Sequence, residues 1–482
     1  MAKLWDKGKE TRKVVERFTV GKDYLYDRRL VPADCLGSIA QARQLERLGI
    51  VDTDERDRLE AELRSIAFEA AAGSFSVTPE DEDCHTAIEN RLTARIGEAG
   101  KRIHAGRSRN DQSATALRLW LREGLLDLIS EVLEVASVLT RRAGELRHLP
   151  MVGRTHLQPA MLSSVGLWCG AFAEELLDDA ELLFLVYDQV DRSPLGAGAS
   201  YGVPLPLERE YTAALLGFRR VHTNVLASQN GRGKLEALSI DAFDHLMVTL
   251  SRFAADIILY SLKEFGYFVL PEDIATGSSI MPQKRNPDVL ELIRGKAAAV
   301  GGIAQGAKSL LRGLNSGYSR DLQETKAMVI DAFDLTSASL RAAGLVARDF
   351  QVDPEALLAP FDHEVLSTDD VFALVEKGAP FRDAYRQVAE RLEEIRSGRS
   401  VPPAITEEAL LGLLRKRTAT GSPGNLRLDE LTGRIQGLGA AAEEGRQRHD
   451  GAVRELLGRP VSLVSEGDPP KDGVEDESSE DE

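Results

Sequence analysis

Apolar residues recur at spacings of three and four over the central half of the chain, a pattern that predicts long α-helices. The clearest stretch starts at Asn110 and continues for about 40 residues, longer than an ordinary globular helix. Its apolar face is formed by Leu117, Leu121, Leu125, Leu128, Val132, Ala136 and Leu139. Further helical stretches follow at about 160–192, 232–265, 288–312 and 322–349. With no internal repeat and no alternation of strands with helices, these lengths predict an all-α fold built on a long central helical bundle.

Shorter elements flank this bundle on both sides. Before the bundle, short helices alternate with loops, and Thr53 and Asp54 are the predicted caps of a helix over 53–72. After it, shorter helices are punctuated by Pro354, Pro360 and Pro380. We therefore predict a mostly helical N-terminal domain at 1–105, the long-helix bundle at 106–351, a small helical domain at 352–458 and an acidic disordered tail at 459–482.

Composition narrows the classes of protein that fit this pattern. The chain has 482 residues, of which 43% are hydrophobic and only 6% aromatic, so a sizeable core would be mostly aliphatic. The net charge is −17, and Glu466–Glu482 alone carries nine acids against one lysine. The rest of the chain is still acidic, which argues against a nucleic-acid partner.

The cysteines and the apolar runs indicate the compartment. Cys35, Cys84 and Cys169 are far apart and lack metal-ligand spacing, so we interpret them as reduced thiols of a cytoplasmic protein. The charged N-terminus lacks the apolar segment of a signal peptide. The longest apolar run is the segment 182–187, well short of the ~18 residues that a membrane span needs. We expect no membrane partner.

One polar loop interrupts the helical pattern between the third and fourth long helices. It reads ATGSSIMPQKRNPDVL over 275–290, and its two prolines prevent a helix from running through it. Ser278, Lys284 and Asn286 place a hydroxyl, an ammonium and an amide close together in sequence. Such a loop is either a polar connection between helices or a candidate site on a rigid scaffold.

Two other segments carry candidate chemistry. HAGRSRNDQ at 104–112 contains two arginines, which suit carboxylate recognition but also suit a solvated turn. VGRTHLQPA at 152–160 places Thr155 and His156 at a predicted helix boundary, where a lone histidine is more often structural.

A third segment, CHTAIENRL at 84–92, places His85 and Glu89 four residues apart on one predicted helical face. With a third ligand this spacing could bind a metal ion. The sequence offers no such ligand, so we predict a surface or structural pair and no metal site.

Together the three segments at 104–112, 152–160 and 275–290 resemble the fumarase/aspartase superfamily. GRSRNDQ and MPQKRNPD resemble its argininosuccinate lyase branch, and the resemblance extends over about residues 5–455. It implies an all-α homotetramer whose active sites are shared between subunits and use neither a metal nor an organic cofactor. The implied reaction converts argininosuccinate, a small molecule, to L-arginine and fumarate in arginine biosynthesis.

The resemblance also implies roles for catalytic residues. Ser278 and His156 form the proton-transfer pair, and which is base and which is acid is left open. Lys284 and Asn286 suit stabilisation of a doubly negative carbanion. Glu291, one turn past Pro287, would orient and charge His156, or would complement the dipole of its own helix.

Substrate contacts follow in the same way, with one departure. Asn110 and Thr155 correspond to residues that hold the succinyl part. The residues at the arginine end are Tyr318, Gln323 and Lys326. The family's N-terminal motif carries a serine after Phe-Asn-Ala, whereas this chain reads FTVGKD at 18–23, with Gly21 or Asp23 near that position.

Two alternatives remain open at this point. One is another fumarate-forming lyase such as adenylosuccinate lyase, a branch that typically has histidine in place of Gln283. The other is a non-enzymatic structural protein, like the related lens crystallins. The second alternative is disfavoured because the chain keeps the full set Thr155, His156, Ser278, Lys284 and Glu291.

Overall fold

Residues 12–464 are described by a computed structural model. Residues 465–482 of the predicted acidic tail at 459–482 lie outside these described residues, as does the charged segment before residue 12. Residues 459–464 of that tail are described, and Leu463 among them is buried. The chain is 66% helical and its strands are few and short, which confirms the all-α class. The domain boundaries proposed from the sequence stay a prediction.

The helices fall into three groups along the chain. The N-terminal helices are α1 Lys13–Val20, α2 Asp23–Asp27, α3 Val31–Arg47, α4 Thr53–Ala71, α5 Cys84–Ile96 and α6 Glu98–Arg102. The next group contains the long helices α7 Arg109–Glu145, α8 Val165–Val190, α11 Lys234–Ser261, α12 Asp288–Leu310 and α13 Glu324–Asp349, with the short α9 Arg209–Leu215 and α10 Val225–Asn230. The C-terminal helices are α14 Pro354–Leu358, α15 Ser367–Glu376, α16 Phe381–Arg396, α17 Glu407–Lys416 and α18 Leu428–Leu457.

Short strand pairs brace the connections between helices. The antiparallel pairs are β1 Pro150–Thr155 with β2 Gln158–Ser164, β5 Phe268–Val269 with β8 Gln351–Val352, and β6 Thr276–Gly277 with β7 Arg285–Asn286. A parallel pair joins β3 Arg192–Ser193 to β4 Arg220–Val221. Two 3₁₀ helices, Arg28–Leu30 and Arg320–Gln323, precede α3 and α13.

The five long helices confirm the bundle predicted from the apolar periodicity. Helix α7 is its centre and packs against α8, α13, α18 and α3. Leu125, Leu128 and Ile129 in the middle of α7 are fully buried. Trp120 meets Phe333 of α13 edge to face, with ring centroids 5.0 Å apart.

The structure corrects two local predictions. The cap of α4 is Asp52, not Thr53 or Asp54: Asp52 Oδ1 accepts a bond from the Glu55 N–H at 2.8 Å, and Glu55 Oε2 accepts one from the Asp52 N–H at 3.1 Å. The segment 150–164, partly predicted as helix, is the β1–β2 hairpin, and α8 begins only at Val165. Pro159 lacks the N–H that a helix interior needs, which favours the hairpin.

The C-terminal helix α18 is fixed to α7 by buried charges. Arg122 and Glu123 of α7 are both buried, and Glu123 Oε2 lies 3.0 Å from His449 Nε2 on α18. Burial lowers the pKa of His449, so the neutral ring donates to Glu123 and accepts from Arg122 Nη2 at 3.4 Å. The Leu463 N–H also donates to Glu123, at 2.9 Å, so one carboxylate anchors the chain beyond α18.

Contacts at the helix termini show which connections share an end of the bundle. A Cβ atom on Gly233, just before α11, would meet Leu311 Cδ2 at 2.4 Å, so the start of α11 and the end of α12 lie together. At the other end, Arg154 of β1 donates to the Tyr267 hydroxyl at 3.4 Å, just beyond the end of α11. The β1–β2 hairpin and the connection between α11 and α12 therefore share that second end. In the part of the chain that the structure describes, no helix has the length and apolarity needed to cross a membrane.

The close approach of α8 to the end of α7 generates a prediction about stability. A Cβ on Gly166 would lie 2.4 Å from Arg147 Cα, whereas one on Gly170, a turn later, would lie 3.8 Å from Ala143 Cβ. We expect Gly166→Ala to lower the free energy of unfolding by about 1–3 kcal/mol through overpacking. Gly170→Ala should be neutral or stabilising by up to about 1 kcal/mol, because alanine favours a helix. Chemical denaturation of both variants measures this, and equal stabilities would contradict the packing account.

Candidate active site

A charged cavity of about 140 Å³ lies at the end of the bundle where α7 begins. Its walls come from the N-terminal segment, the start of α5, the first turn of α7, the start of α11 and the region where α13 begins. Four of the predicted substrate-binding residues line it: Asn110, Tyr318, Gln323 and Lys326. The sequence motifs at 104–112 and 318–326 therefore meet in one place.

Asn110 is held in the cavity by the way α7 begins. Ser108 caps the helix: its Oγ accepts from the Asn110 N–H at 3.3 Å, and its own N–H donates to Asp111 Oδ1 at 2.9 Å. The other oxygen of the buried Asp111 accepts the N–H groups of Gly196 and Gly198 at 3.0 and 2.8 Å. This carboxylate fixes the start of α7 to the segment after β3, which places Asn110 at the cavity wall.

The opposite wall carries the residues predicted for the arginine end. The Arg232 guanidinium lies 4.6 Å from the centre of the Tyr318 ring, a cation–π contact that orients the tyrosine. Gln323 Nε2 and Arg320 Nη2 both donate to the Thr19 carbonyl, at 3.3 and 3.0 Å. The second 3₁₀ helix is therefore attached to the N-terminal segment across the cavity.

Lys326 pairs with two carboxylates of the cavity. Its side chain is only 9% exposed, and its Nζ contacts Asp23 Oδ2 at 2.8 Å and also Asp27 Oδ1. Burial would lower the pKa of Lys326, but the two carboxylates raise it, so the ammonium stays charged. Burial raises the pKa of Asp23 to about 6 despite Lys326, whereas for Asp27 the contacts with Lys326 and His85 outweigh burial and lower the pKa.

A buried histidine lies behind this group. His85 Nδ1 is 3.2 Å from Asp34 Oδ1, and Gln112 Nε2 donates to the other oxygen of Asp34 at 3.1 Å. Burial alone would lower the pKa of His85, but Asp34, with Asp83 and Asp27, raises it to about 9. Glu89 pairs instead with His104, at 2.8 Å. The predicted pairing of His85 with Glu89 is therefore wrong, because each faces a different partner.

Asp27, Cys84 and His85 are close enough to be considered as metal ligands. Their ligand atoms lie within 4.8 Å of one another and all three residues are buried. However, Asp27 already pairs with Lys326, and burial raises the pKa of the Cys84 thiol well above its usual value. The raised pKa of His85 keeps its ring protonated. Metal ligands must be deprotonated, so this set suits an internal ion-pair network better than a metal ion.

The remaining predicted residues lie at the other end of the bundle. Thr155 and His156 are exposed at the tip of the β1–β2 hairpin, not at a helix boundary. His156 and Leu157 have φ values of 53° and 61°, so they form a tight two-residue turn. This turn presents the His156 side chain to solvent.

The polar loop at 275–290 is also exposed, and β6–β7 closes its base. Asn286 Nδ2 donates to the Gly277 carbonyl at 3.5 Å, and Lys284 is exposed near the tip. Ser278 Oγ accepts from the N–H groups of Ile280 and Met281 at 3.3 and 3.2 Å. Two donors aimed at this oxygen would stabilise negative charge on it. Glu291 follows in the first turn of α12, where its N–H donates to the Pro287 carbonyl at 3.1 Å.

Helix lengths show how far the cavity residues lie from the β1–β2 hairpin and the polar loop. Asn110 and the hairpin are separated by the 37 residues of α7, or about 55 Å at ~1.5 Å per residue. The loop at 275–290 is separated from the cavity end by the 23 residues of α12, or about 35 Å. Within one chain, Ser278 and His156 therefore cannot act on a molecule bound beside Asn110 and Lys326.

Some cavity residues were missed by the sequence reasoning. Of the two arginines in GRSRNDQ, Arg107 is buried and donates to Ser38 Oγ at 2.9 Å, so it is structural. Arg109 lines the cavity and pairs with Asp83 at 3.2 Å. Arg232 and Glu236 at the start of α11 gave no sequence signal, because nothing in their local pattern points to this cavity.

The chain is similar to known proteins over most of its length. Residues 8–302 match the protein family described as Lyase. The chain is 44% identical to argininosuccinate lyase of Thermotoga neapolitana over 81% of this chain and 98% of that protein. It is 40% identical to argininosuccinate lyase of Sorangium cellulosum over 90% of this chain and 98% of that protein.

Solved structures share the fold. EDDS lyase in complex with formate superposes with a TM-score of 0.78 at 24% identity, covering 95% of this chain and 96% of that one. Class II fumarase of Schistosoma mansoni gives a TM-score of 0.63 at 16% identity, covering 76% and 89%. The fold and the matched family define the protein as a lyase with the helical architecture of the fumarases. Within that class, the chain belongs to the argininosuccinate lyase family.

The buried His85 generates a prediction about pH. Its pKa is raised from 6.5 to about 9 in the folded state. The stability that its charge contributes is therefore fully present below pH 6.5 and is lost as the pH rises through 9. We expect His85→Gln to be less stable than wild type by on the order of 3 kcal/mol at pH 6. The difference should shrink toward pH 9.5.

The control for this prediction is His104→Gln, because His104 also pairs with a carboxylate but is 33% exposed. Unfolding midpoints of all three proteins between pH 6 and 9.5 provide the measurement. If the loss of stability in His85→Gln stayed constant over this pH range, His85 would not be held as a buried cation. A larger pH-dependent loss of stability in His104→Gln would show the same.

Proposed function

We propose that this lyase converts argininosuccinate to L-arginine and fumarate in arginine biosynthesis. The observation that carries the proposal is the cavity that unites Asn110, Tyr318, Gln323 and Lys326. It presents cationic and anionic groups within one small volume, which suits a substrate that carries carboxylates, an ammonium and a guanidinium. Two relatives, whose alignments cover most of this chain and of their own, bear the name argininosuccinate lyase, which supports the same substrate.

The proposed chemistry is an elimination by general acid–base catalysis. A base removes a proton from the carbon next to a carboxylate, and the resulting negative charge spreads into that carboxylate. The carbon–nitrogen bond then breaks, the electron pair goes to the departing nitrogen, and an acid protonates it. Fumarate and arginine are the products, so atoms and charges balance without a cofactor.

We assign the base to Ser278 and the acid to His156. The two backbone N–H groups at Ser278 Oγ favour the negative charge that a serine base must carry. Lys284 and Asn286, on the same loop, would stabilise the doubly negative intermediate. Thr155 would hold the succinyl part beside Asn110, and Glu291 would orient and charge His156.

This assignment requires more than one copy of the chain, and we propose a homotetramer. The cavity and the two exposed segments lie at opposite ends of helices about 35–55 Å long, so partner copies must bring Ser278 and His156 to each cavity. Helix α12 offers a surface for such assembly: Leu292 is 61% exposed, and Gly295, Ala299 and Gly302 are exposed on the same helix. Small residues allow helices to approach closely. The buried free thiols Cys35, Cys84 and Cys169 suit a reducing, cytoplasmic location.

The experiment that tests this function measures fumarate absorbance with purified protein. Fumarate should form from argininosuccinate and not from adenylosuccinate or malate, because Gln283 and the GRSRNDQ segment resemble the argininosuccinate lyase branch. Equal turnover of adenylosuccinate would contradict the substrate assignment. No turnover of any substrate would favour a structural role.

The control for this assay uses two neighbouring serines. Ser278→Ala should lower the rate by about three orders of magnitude or more, in or above the range that a general acid or base contributes. Ser279→Ala should leave the rate close to that of wild type. If Ser279→Ala were the inactive variant, the base would be the other serine.

A further inference from the structure

The N-terminal wall of the cavity contains an aspartate whose role the family motif does not explain. The motif's serine is absent from FTVGKD, and the structure distinguishes the two residues near its position. Asp23, the first residue of α2, lines the cavity, with a side chain 14% exposed. Gly21 is not part of the lining and ends α1 with a φ of 53°. Of these two residues, Asp23 is therefore the one that faces the cavity.

Asp23 differs from Asp27, the other carboxylate that holds Lys326. Asp27 is 1% exposed and uses both oxygens: Oδ1 contacts Lys326, and Oδ2 accepts from the Cys84 N–H at 2.9 Å. Asp23 uses Oδ2 for Lys326. Among residues 12–464, no hydrogen bond or ion pair engages its Oδ1. Asp23 thus has an acceptor available inside the cavity, and Asp27 does not.

Two neighbouring acids of the cavity are already engaged. Glu82 pairs with Arg320 at 3.1 Å, and Asp83 pairs with Arg109 at 3.2 Å. The ammonium of Lys326 has three N–H donors, and two of them are given to Asp23 and Asp27. One donor of Lys326 and one oxygen of Asp23 therefore have no partner among the described residues, and both side chains line the cavity.

We propose that Asp23 binds the α-ammonium group of the arginine part of the substrate, beside Lys326, which binds the α-carboxylate. An adjacent ammonium and carboxylate on one carbon match an adjacent acceptor and donor on the protein. The inference rests on the proposed function and extends it, because it assigns a specificity-determining residue at the position where the family motif has a serine. A serine hydroxyl would offer a neutral acceptor there, whereas Asp23 adds a charge that favours a cationic group.

The test compares two ligands that differ only at the α-carbon. L-Arginine carries the α-ammonium, and 5-guanidinovalerate lacks it while keeping the guanidinium and the carboxylate. Isothermal titration calorimetry on the full-length protein should show arginine binding about tenfold or more tightly than 5-guanidinovalerate. In Asp23→Asn, which keeps the shape but removes the charge, arginine should lose about tenfold or more in affinity. The affinity for 5-guanidinovalerate should change little.

The matched control is Asp331→Asn. Asp331 accepts from the Tyr26 hydroxyl at 3.1 Å and so joins α13 to α2, as the Lys326–Asp23 pair does, but it does not line the cavity. This variant should retain the preference of wild type for arginine. A loss of preference in Asp331→Asn equal to that in Asp23→Asn would mean that any loosening of α2 has the same effect, and the proposal would fail.

Other outcomes also decide the proposal. An equal loss of affinity for both ligands in Asp23→Asn would mean that Asp23 only positions Lys326. Equal affinities of wild type for the two ligands, or no binding of arginine, would also overturn it. Because binding is measured without turnover, these results are separate from the fumarate assay. A protein that prefers arginine through Asp23 but releases no fumarate would contradict the proposed function alone.

Discussion

The length of the bundle helices is the constraint on which the rest of the structure depends. Helix α7 alone is 37 residues long, or about 55 Å, and it separates the cavity at its start from the hairpin beyond its end. The same helices that build a large apolar core therefore keep the cavity of one chain apart from its own Ser278 and His156, which we propose as its catalytic residues. Under the proposed function, the cavity and the exposed Ser278 and His156 segments become parts of one site only when copies assemble. In this account, assembly is a requirement of catalysis and not an addition to it.

Buried charge organises the cavity end. Lys326, His85 and the carboxylates around them lie in low-dielectric surroundings, where an unpaired charge is costly and a paired one is held firmly. Asp27 contacts Lys326 and accepts from the Cys84 N–H, and Asp34 contacts His85 and Gln112. These partners tie α2, α3, α5, α7 and α13 together around the site. The network leaves one acceptor on Asp23, so the groups that hold the wall together also define what the wall can bind.

Much of the fold could be predicted from local patterns, and the failures have physical causes. The apolar face of α7 and the polar loop between α11 and α12 were predictable because periodicity and proline act over short distances. The β1–β2 hairpin was missed because its turn residues, His156 and Leu157, are not the usual Asn-Gly pair. The Lys326–Asp23 contact joins residues 303 positions apart, so no spacing rule could reveal it. His85 met Asp34 rather than Glu89 because tertiary packing, not helical periodicity, chose its partner.

The most direct test of the central claim mixes two inactive variants. Asn110→Ala damages the cavity, and Ser278→Ala damages the loop at the other end of the bundle. Each should be inactive alone, but chains mixed in equal amounts, dissociated and reassembled should recover about a quarter of wild-type activity if each site takes the two residues from different chains at random. No recovery, with mixed assembly verified by mass spectrometry, would show that one chain supplies both residues and would contradict the account.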